Sequence, residues 1–441
     1  MNLDKSNLGK NFPLVFFDNL NKLKVDYCIL GKSFSKFDKN HQGDIDIAIN
    51  KKDIDRAKNL IFHLTKNTNF YLLKDIQHEI NSNYYIIFEN NKEYKILHRI
   101  DICTDYIRKC KIILKDKFLL SKTKNVVVEK VELKIANNVI NFIYYLIKKI
   151  RKNHISEEDF RFLLYLYDQN ICQEYIAIFF RSKSINIIFQ SLIKKDVSII
   201  NNNLRLLNRS IKNYYLFSYL KNKIFNIKRL CNRFFKPTGL SIAVLGPDGS
   251  GKSSLINSLS NEIRFIGRQH KFVHFWPDKN LNKKNIIVQS NPHEKPPYNF
   301  FLSFLKLLYC LSRYTVETYF INRFLRIKST IIWFDRHFID LLVDPLRYRI
   351  KINKKIIYFF LKFVRKPDIL IILDVNPNLI RSRVREVSYQ ETCRQINAYK
   401  LICREFDTIL LDGNKSIDMT VKEAKFKILK KVSYLNKRID Y

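Results

Sequence analysis

The segment Gly246-Pro247-Asp248-Gly249-Ser250-Gly251-Lys252-Ser253 decides how the C-terminal half of the chain is read. It satisfies G-x-x-x-x-G-K-S/T, in which glycines let successive backbone N–H groups turn toward one anion. The 441-residue chain has only 9 glycines, and Gly246, Gly249 and Gly251 fall together here, so backbone freedom is concentrated where the motif needs it. The apolar run Leu240 to Leu245 precedes the segment and helical spacing from Ser253 to Ile263 follows it, which supplies the required strand, loop and helix. At such a loop the helix N-terminus adds partial positive charge, Lys252 reaches the β and γ phosphates, and the Ser253 hydroxyl ligates Mg2+. Gly246, Gly249, Ser250, Gly251, Lys252, Ser253 and Ser254 are the expected contacts for ATP and Mg2+.

Working outward, strand signals at Lys271 to Phe275, Ser329 to Phe334, Asp368 to Leu373 and Thr408 to Leu411 are separated by room for helices. This alternation predicts an α/β P-loop NTPase fold, a parallel sheet with flanking helices, over 237–441. Breaker residues in Phe235-Lys236-Pro237-Thr238-Gly239 mark the boundary. Upstream, strands are expected at Tyr27 to Leu30, Asp44 to Ile49, Tyr84 to Glu89 and Tyr94 to Ile102, followed by helices from roughly Ile135 to Arg233. The N-terminal half therefore reads as an α+β domain, 1–125, with a helical extension, 126–236.

The loop resembles the D-G-x-G-K loop of thymidylate kinases, with Asp248 as its acid. Two further segments are similar to that family. Asp335-Arg336-His337 follows a strand, as the family's D-R-Y/H does, and Pro367-Asp368 to Asp374-Val375 matches its P-D-x-x-x-x-L-D-V strand. Leu411 to Asp418 is similar to its last strand and adenine-side loop, so the resemblance covers about 238–435. It implies Asp335 near the metal, Arg336 on a phosphate of the acceptor, and Arg381, Arg383 and Arg385 as candidates for a basic lid over the moving phosphoryl group. Planar guanidinium groups suit the charge that spreads over that group. Two departures bear on the acceptor. Phe275-Trp276-Pro277-Asp278 stands where thymidylate kinases carry R-E-P-G, and Phe338 to Tyr348 replaces their S-x-x-A-Y-Q base contacts. Asp340 and Asp344, four apart, could share a helix face and bind a second metal or acceptor hydroxyls, and His337 is as readily a packed residue as a functional one.

A second constellation lies near the N-terminus. Asp44 and Asp46 at i and i+2 on a strand project from one face, and Asp101 ends a later strand. Carboxylates converging from adjacent strands can hold two divalent cations about 4 Å apart. With the Gly31-Lys32-Ser33 turn, the arrangement resembles the nucleotidyltransferase superfamily that includes DNA polymerase β and the aminoglycoside nucleotidyltransferases, over about 15–110. The basic run Lys148 to His154 could bring cations near these acids, although a solvated helix face is its default reading.

With 79 basic and 41 acidic residues the chain carries +38, which attracts polyanions; Lys, Asn and Ile bias everywhere explains the same number. The 46% hydrophobic and 14% aromatic content excludes wholesale disorder. The longest apolar stretch, Tyr298 to Leu311, is interrupted by Lys306 and falls short of the ~18 to 20 residues that span a bilayer, and the N-terminus lacks the apolar core of a signal peptide, so a cytoplasmic location is expected. Eight scattered cysteines fit neither a zinc site nor a disulfide scaffold. The expected activity is ATP-dependent phosphoryl transfer to a small acceptor, a nucleoside monophosphate by the resemblance or a sugar intermediate of surface-glycan synthesis. The alternatives are a nucleic-acid-end-processing enzyme, for which no motif speaks, and a nucleotide-gated regulatory module.

Overall fold

The computed structural model of the chain describes residues 11–32, 43–66, 69–90, 95–167, 169–212, 216–274, 296–384 and 387–437. It divides into two compact units, 11–229 together with 436–437, and 230–435. The division falls within the helix Leu216–Phe235, a few residues ahead of the breakers that mark 236/237 in the sequence.

In the first unit the strands are β1 (Tyr27–Leu30), β2 (Asp44–Ile49), β3 (Phe70–Glu79), β4 (Ser82–Asn90), β5 (Lys95–Cys103), the small hairpin β6 (Tyr106–Arg108) and β7 (Lys111–Leu114), then β8 (Thr123–Val128) and β9 (Val131–Ala136). All but β6 and β7 join one mixed sheet, ordered β3-β4-β5-β2-β1-β9-β8. Strand alternation sorts its side chains. Tyr27, Ile29, Ile45, Ile47, Ile49, Ile100 and Ile102 face a core shared with the helices Phe12–Lys22 and Ile54–Leu64, while Cys28, Leu30 and Ala48 face the helix Asn138–Lys152. Asp44, Asp46 and Asp101 occupy the phases opposite those isoleucines, which puts all three on the side of Asn138–Lys152.

The helical extension begins later than its pattern suggests. Val131, Leu133 and Ile135 alternate into the sheet core, β9 pairs in parallel with β1 through Ile29 and Ile135, and Asn137 caps the first helix by accepting from Ile140 N–H at 3.0 Å. A boundary at 125/126 thus falls inside β8, and both strands of the β8–β9 hairpin belong to the sheet.

In the second unit β10 (Ser241–Leu245), β11 (Gln269–His274), β12 (Thr330–Asp335), β13 (Ile369–Asp374) and β14 (Thr408–Asp412) form a wholly parallel sheet ordered β11-β12-β10-β13-β14. β10, β12 and β13 are buried along nearly their whole length, as expected of strands covered on both faces by helices such as Lys252–Glu262, Phe300–Val316 and Tyr389–Glu405. This is a parallel sheet with flanking helices, compatible with a P-loop α/β fold. The strand order reverses at β10, and in such sheets ligands bind outside the carboxyl ends at that switch point. The loop after β10 lies there.

Candidate functional site

The loop from Gly246 leaves β10 and enters the helix Lys252–Glu262 through Gly251, whose φ of +90° no side chain adopts comfortably. Gly249, at +78°, is also limited by space, since a Cβ there would lie 3.3 Å from the Val384 side chain. Lys252 is buried and folds back on the loop, donating from Nζ to the Gly246 and Pro247 carbonyls at 3.0 and 2.7 Å. Burial, joined by the neighbouring Arg336 charge, lowers its pKa against the opposing pull of Asp248, Asp335 and Asp340. The Ser250 Oγ is buried without a hydrogen-bond partner. Ser254 is exposed in the first helical turn.

β12 ends beside this loop. Asp335 is in register with Val244 of β10 and His274 of β11, and its Oδ2 accepts from Ser253 Oγ at 3.1 Å. His274 Nδ1 lies 3.4 Å from the same oxygen. The other oxygen, Oδ1, is buried with no hydrogen-bond partner. Burial pushes the Asp335 carboxyl up, but hydrogen bonding from His274 and the charges of Lys252 and Arg336 outweigh it, and the net shift is downward. A charged, half-satisfied carboxylate beside a serine hydroxyl at the head of a phosphate loop is a donor set that fits Mg2+.

The next residue, Arg336, has φ +76° and points a nearly buried guanidinium at Asp248. A non-glycine residue in this region marks a backbone held by its surroundings. Asp248 also pairs with Arg347, from the short turn Leu346–Tyr348. Arg383 reaches the loop, its Nη1 being 3.4 Å from the Gly249 carbonyl, while Arg381 stands 6.0 Å from the centre of the Tyr389 ring. Arg385 and Phe275-Trp276-Pro277-Asp278 lie outside the described residues.

Asp340 and Asp344 do not share a helix face as a ligand pair. The helix runs only from Asp340 to Val343, ahead of Pro345, and both carboxylates are buried braces. Asp340 accepts from Tyr399 Oη at 2.7 Å and the His337 N–H at 3.2 Å; Asp344 accepts from the Arg347 N–H and Gln395 Nε2, each at 3.1 Å. His337 is fully buried, and burial pulls its pKa down to about 3, so it packs as a neutral ring.

In the first unit Asp46 and Asp101 face each other across parallel β2 and β5, with Asp44 one pleat away. Tyr84 donates to Asp44 at 3.1 Å, and His78 Nε2 lies 3.5 Å from Asp101 Oδ1. Lys148, on the helix Asn138–Lys152, forms a close ion pair with Asp46. Burial and the Asp46 charge raise the Asp101 pKa against the pull of Lys148. Among the described residues no group of three His, Cys, Asp or Glu side chains is placed to hold a metal ion, and the Lys148 ammonium pairs with Asp46. Gly31 is fastened to the same helix, its N–H donating to Asn141 Oδ1 at 2.6 Å and its carbonyl accepting from Asn141 Nδ2 at 3.1 Å; Ser33 lies outside the described residues.

Arg347 and His274 were not marked by any motif; Lys148 lay within the basic run.

No protein-family model and no curated protein matches the chain. Among solved structures it is similar to a thymidylate kinase from Candida albicans, at 18% identity over 44% of this chain and 92% of that one, with a TM-score of 0.33. Among the described residues no helix is long and apolar enough to cross a membrane.

Proposed function

We propose that the second unit transfers the γ-phosphoryl group of ATP to a small acceptor, in the manner of a nucleoside monophosphate kinase. One observation carries the reading: the loop's Ser253 hydroxyl meets the Asp335 carboxylate at the carboxyl ends of β10 and β12, and one oxygen of that carboxylate is left unpartnered. The loop N–H groups hold the nucleotide's phosphates, and Lys252, whose present partners are backbone carbonyls and Asp248, exchanges them for phosphate oxygens. Mg2+ on Ser253 and Asp335 would screen the phosphate charge. Arg336 orients the acceptor, and Arg383, already against the loop, neutralises charge on the transferred group together with Arg381 or Arg385. Catalysis is then positioning and electrostatics, with no covalent intermediate on the chain. An acceptor screen for ATP consumption, with Lys252→Ala as control, tests it; full activity in that variant would sink the assignment. A sugar intermediate as acceptor is the competing outcome of the same screen.

A second reading concerns the first unit. The register of Asp46 against Asp101, with Asp44 on the same face, supports nucleotidyl transfer there. In this role Lys148 balances the acids, and Lys152 and Lys32 add positive charge for a polyphosphate. The double variant Asp44→Asn, Asp46→Asn should lose NTP-dependent transfer, and unchanged transfer would rule the reading out.

A further inference from the structure

The helix Leu216–Phe235 carries its polar and apolar rows in reverse of the usual order. Asn222, Asn226 and Arg229 face the first unit. Asn222 is 3% exposed and donates to the Cys110 carbonyl at 3.0 Å, Asn226 Nδ2 lies 2.7 Å from Cys110 Sγ, and Arg229 Nη1 donates to the Gln77 carbonyl at 3.1 Å. Glu79 of β3 interacts with Arg229 and Asn226 on this same side. Leu220, Ile224 and Ile227 repeat the spacing of that polar row two residues earlier, which puts them on the opposite face, and they are 59%, 69% and 57% exposed. All of these residues belong to the first unit. A surface helix ordinarily gives its apolar row to the core and its polar row to water. Here the polar row is anchored and the apolar row is presented outward.

The charge on this helix has one sign. Lys221, Lys223, Lys228, Arg229 and Arg233 lie within it, Lys236 follows it, and no Asp or Glu occurs between Asp196 and Asp248. By helical geometry Lys221 and Lys228 flank the apolar row on one side and Lys223 on the other, and all three are exposed. An apolar stripe edged by lysines complements a surface that is apolar beneath and anionic above, because the aliphatic stems cover apolar ground while the ammonium groups stay at its polar margin. A second copy of the helix would bring the same cations and no acid. Nucleic acid would answer the lysines but not a row of aliphatic side chains, since bases stack on aromatic ones.

We propose that this face lies on an anionic lipid bilayer. Leu220, Ile224 and Ile227 enter the boundary between headgroups and acyl chains, and Lys221, Lys223 and Lys228 meet the anionic headgroups. The helix lies in the plane of the surface, about 30 Å long, and crosses nothing. The inference is independent of the phosphoryl-transfer reading.

The test is co-sedimentation of the full chain with vesicles of phosphatidylcholine containing about 30% phosphatidylserine, and with phosphatidylcholine alone, in about 0.15 M salt. Wild type should bind the anionic vesicles about tenfold or more tightly than the neutral ones. The triple variant Leu220→Gln, Ile224→Gln, Ile227→Gln keeps every charge and should bind them about tenfold or more weakly than wild type. Lys221→Gln, Lys223→Gln, Lys228→Gln should lose about as much, whereas Lys354→Gln, Lys355→Gln, Lys362→Gln, which removes three exposed lysines elsewhere, should stay within about twofold of wild type. A gain of signal guards against misfolding: the emission of Ile227→Trp, less that of wild type, should shift to the blue when anionic vesicles are added. No shift overturns the proposal. So does equal binding by wild type and the Leu220, Ile224, Ile227 variant, or equal loss from the two lysine sets, either of which would reduce the attraction to bulk charge. Self-association that the same apolar variant abolishes, with no vesicle binding by wild type, would give the face to a second copy and likewise overturn it.

Discussion

Ser253 and Asp335 are joined by a 3.1 Å hydrogen bond between the head of the phosphate loop and the end of the neighbouring strand. The bond exists because β10 and β12 are in parallel register, with Val244 beside Asp335. If this pair holds the metal, Asp335→Asn keeps the hydrogen bond but removes the charge. Turnover should fall by about 100-fold, and the Mg2+ concentration for half-maximal rate should rise. The measurement is a Mg2+ titration of ATP consumption with wild type and variant in parallel; an unchanged Mg2+ requirement places the metal elsewhere.

Lys252 should convert nucleotide binding into stability. At ATP concentrations about 100 times the dissociation constant, a ligand specific to the folded state adds about 2.7 kcal/mol. Wild type should therefore show a clear upward shift in melting temperature with Mg·ATP. If Lys252 answers the β and γ phosphates as proposed, Lys252→Ala should show little. Equal shifts in both proteins would mean that nucleotide binds without the loop.

The loop was legible in the sequence because its chemistry is local: scarce glycines cluster where positive φ is needed, and strand and helix patterns flank them. Arg347 was not, since nothing in its neighbourhood announces that a turn braced by Asp344 and Gln395 returns it to Asp248. The same limit misread Asp340 and Asp344. Their spacing suits a helix face, but Pro345 stops the helix and turns Asp344 into a brace. In the first unit β1 was plain as an unbroken apolar run and β2 from its alternation, whereas β8, with its mostly exposed Lys-Asn-Val-Val, and the partly exposed edge strand β3 lacked a buried pattern strong enough to mark them.

Gly239 offers a test of the second unit's packing. A Cβ there would lie 2.3 Å from the Thr330 carbonyl oxygen and 2.7 Å from the Arg326 Cα, both backbone atoms with no freedom to retreat. Gly239 N–H also donates to the Arg326 carbonyl at 2.8 Å. Gly239→Ala should destabilise the chain by about 1 to 3 kcal/mol, read as a lower urea midpoint. A midpoint equal to that of wild type would show that the approach to β12 is looser than described.

Asp101 makes the first unit's stability depend on pH in an identifiable direction. Its carboxyl is raised above the usual range, by burial first and then by the charge of Asp46. Between the unfolded and folded pKa values the folded chain holds the extra proton, so stability is fully present below the unfolded value and declines as pH rises through the folded one. Lys148 moderates the decline, because its ammonium pairs with Asp46 and offsets the charge that Asp101 gains. Asp101→Asn should flatten this dependence, leaving stability near wild type at acidic pH and above it at alkaline pH. Lys148→Met should steepen it and lower stability by about 3 kcal/mol at neutral pH, since it removes the ammonium paired with the buried Asp46. Urea midpoints across pH 5 to 9 for the three proteins provide the comparison. Parallel curves for wild type and Asp101→Asn would show that Asp101 is not the group that titrates.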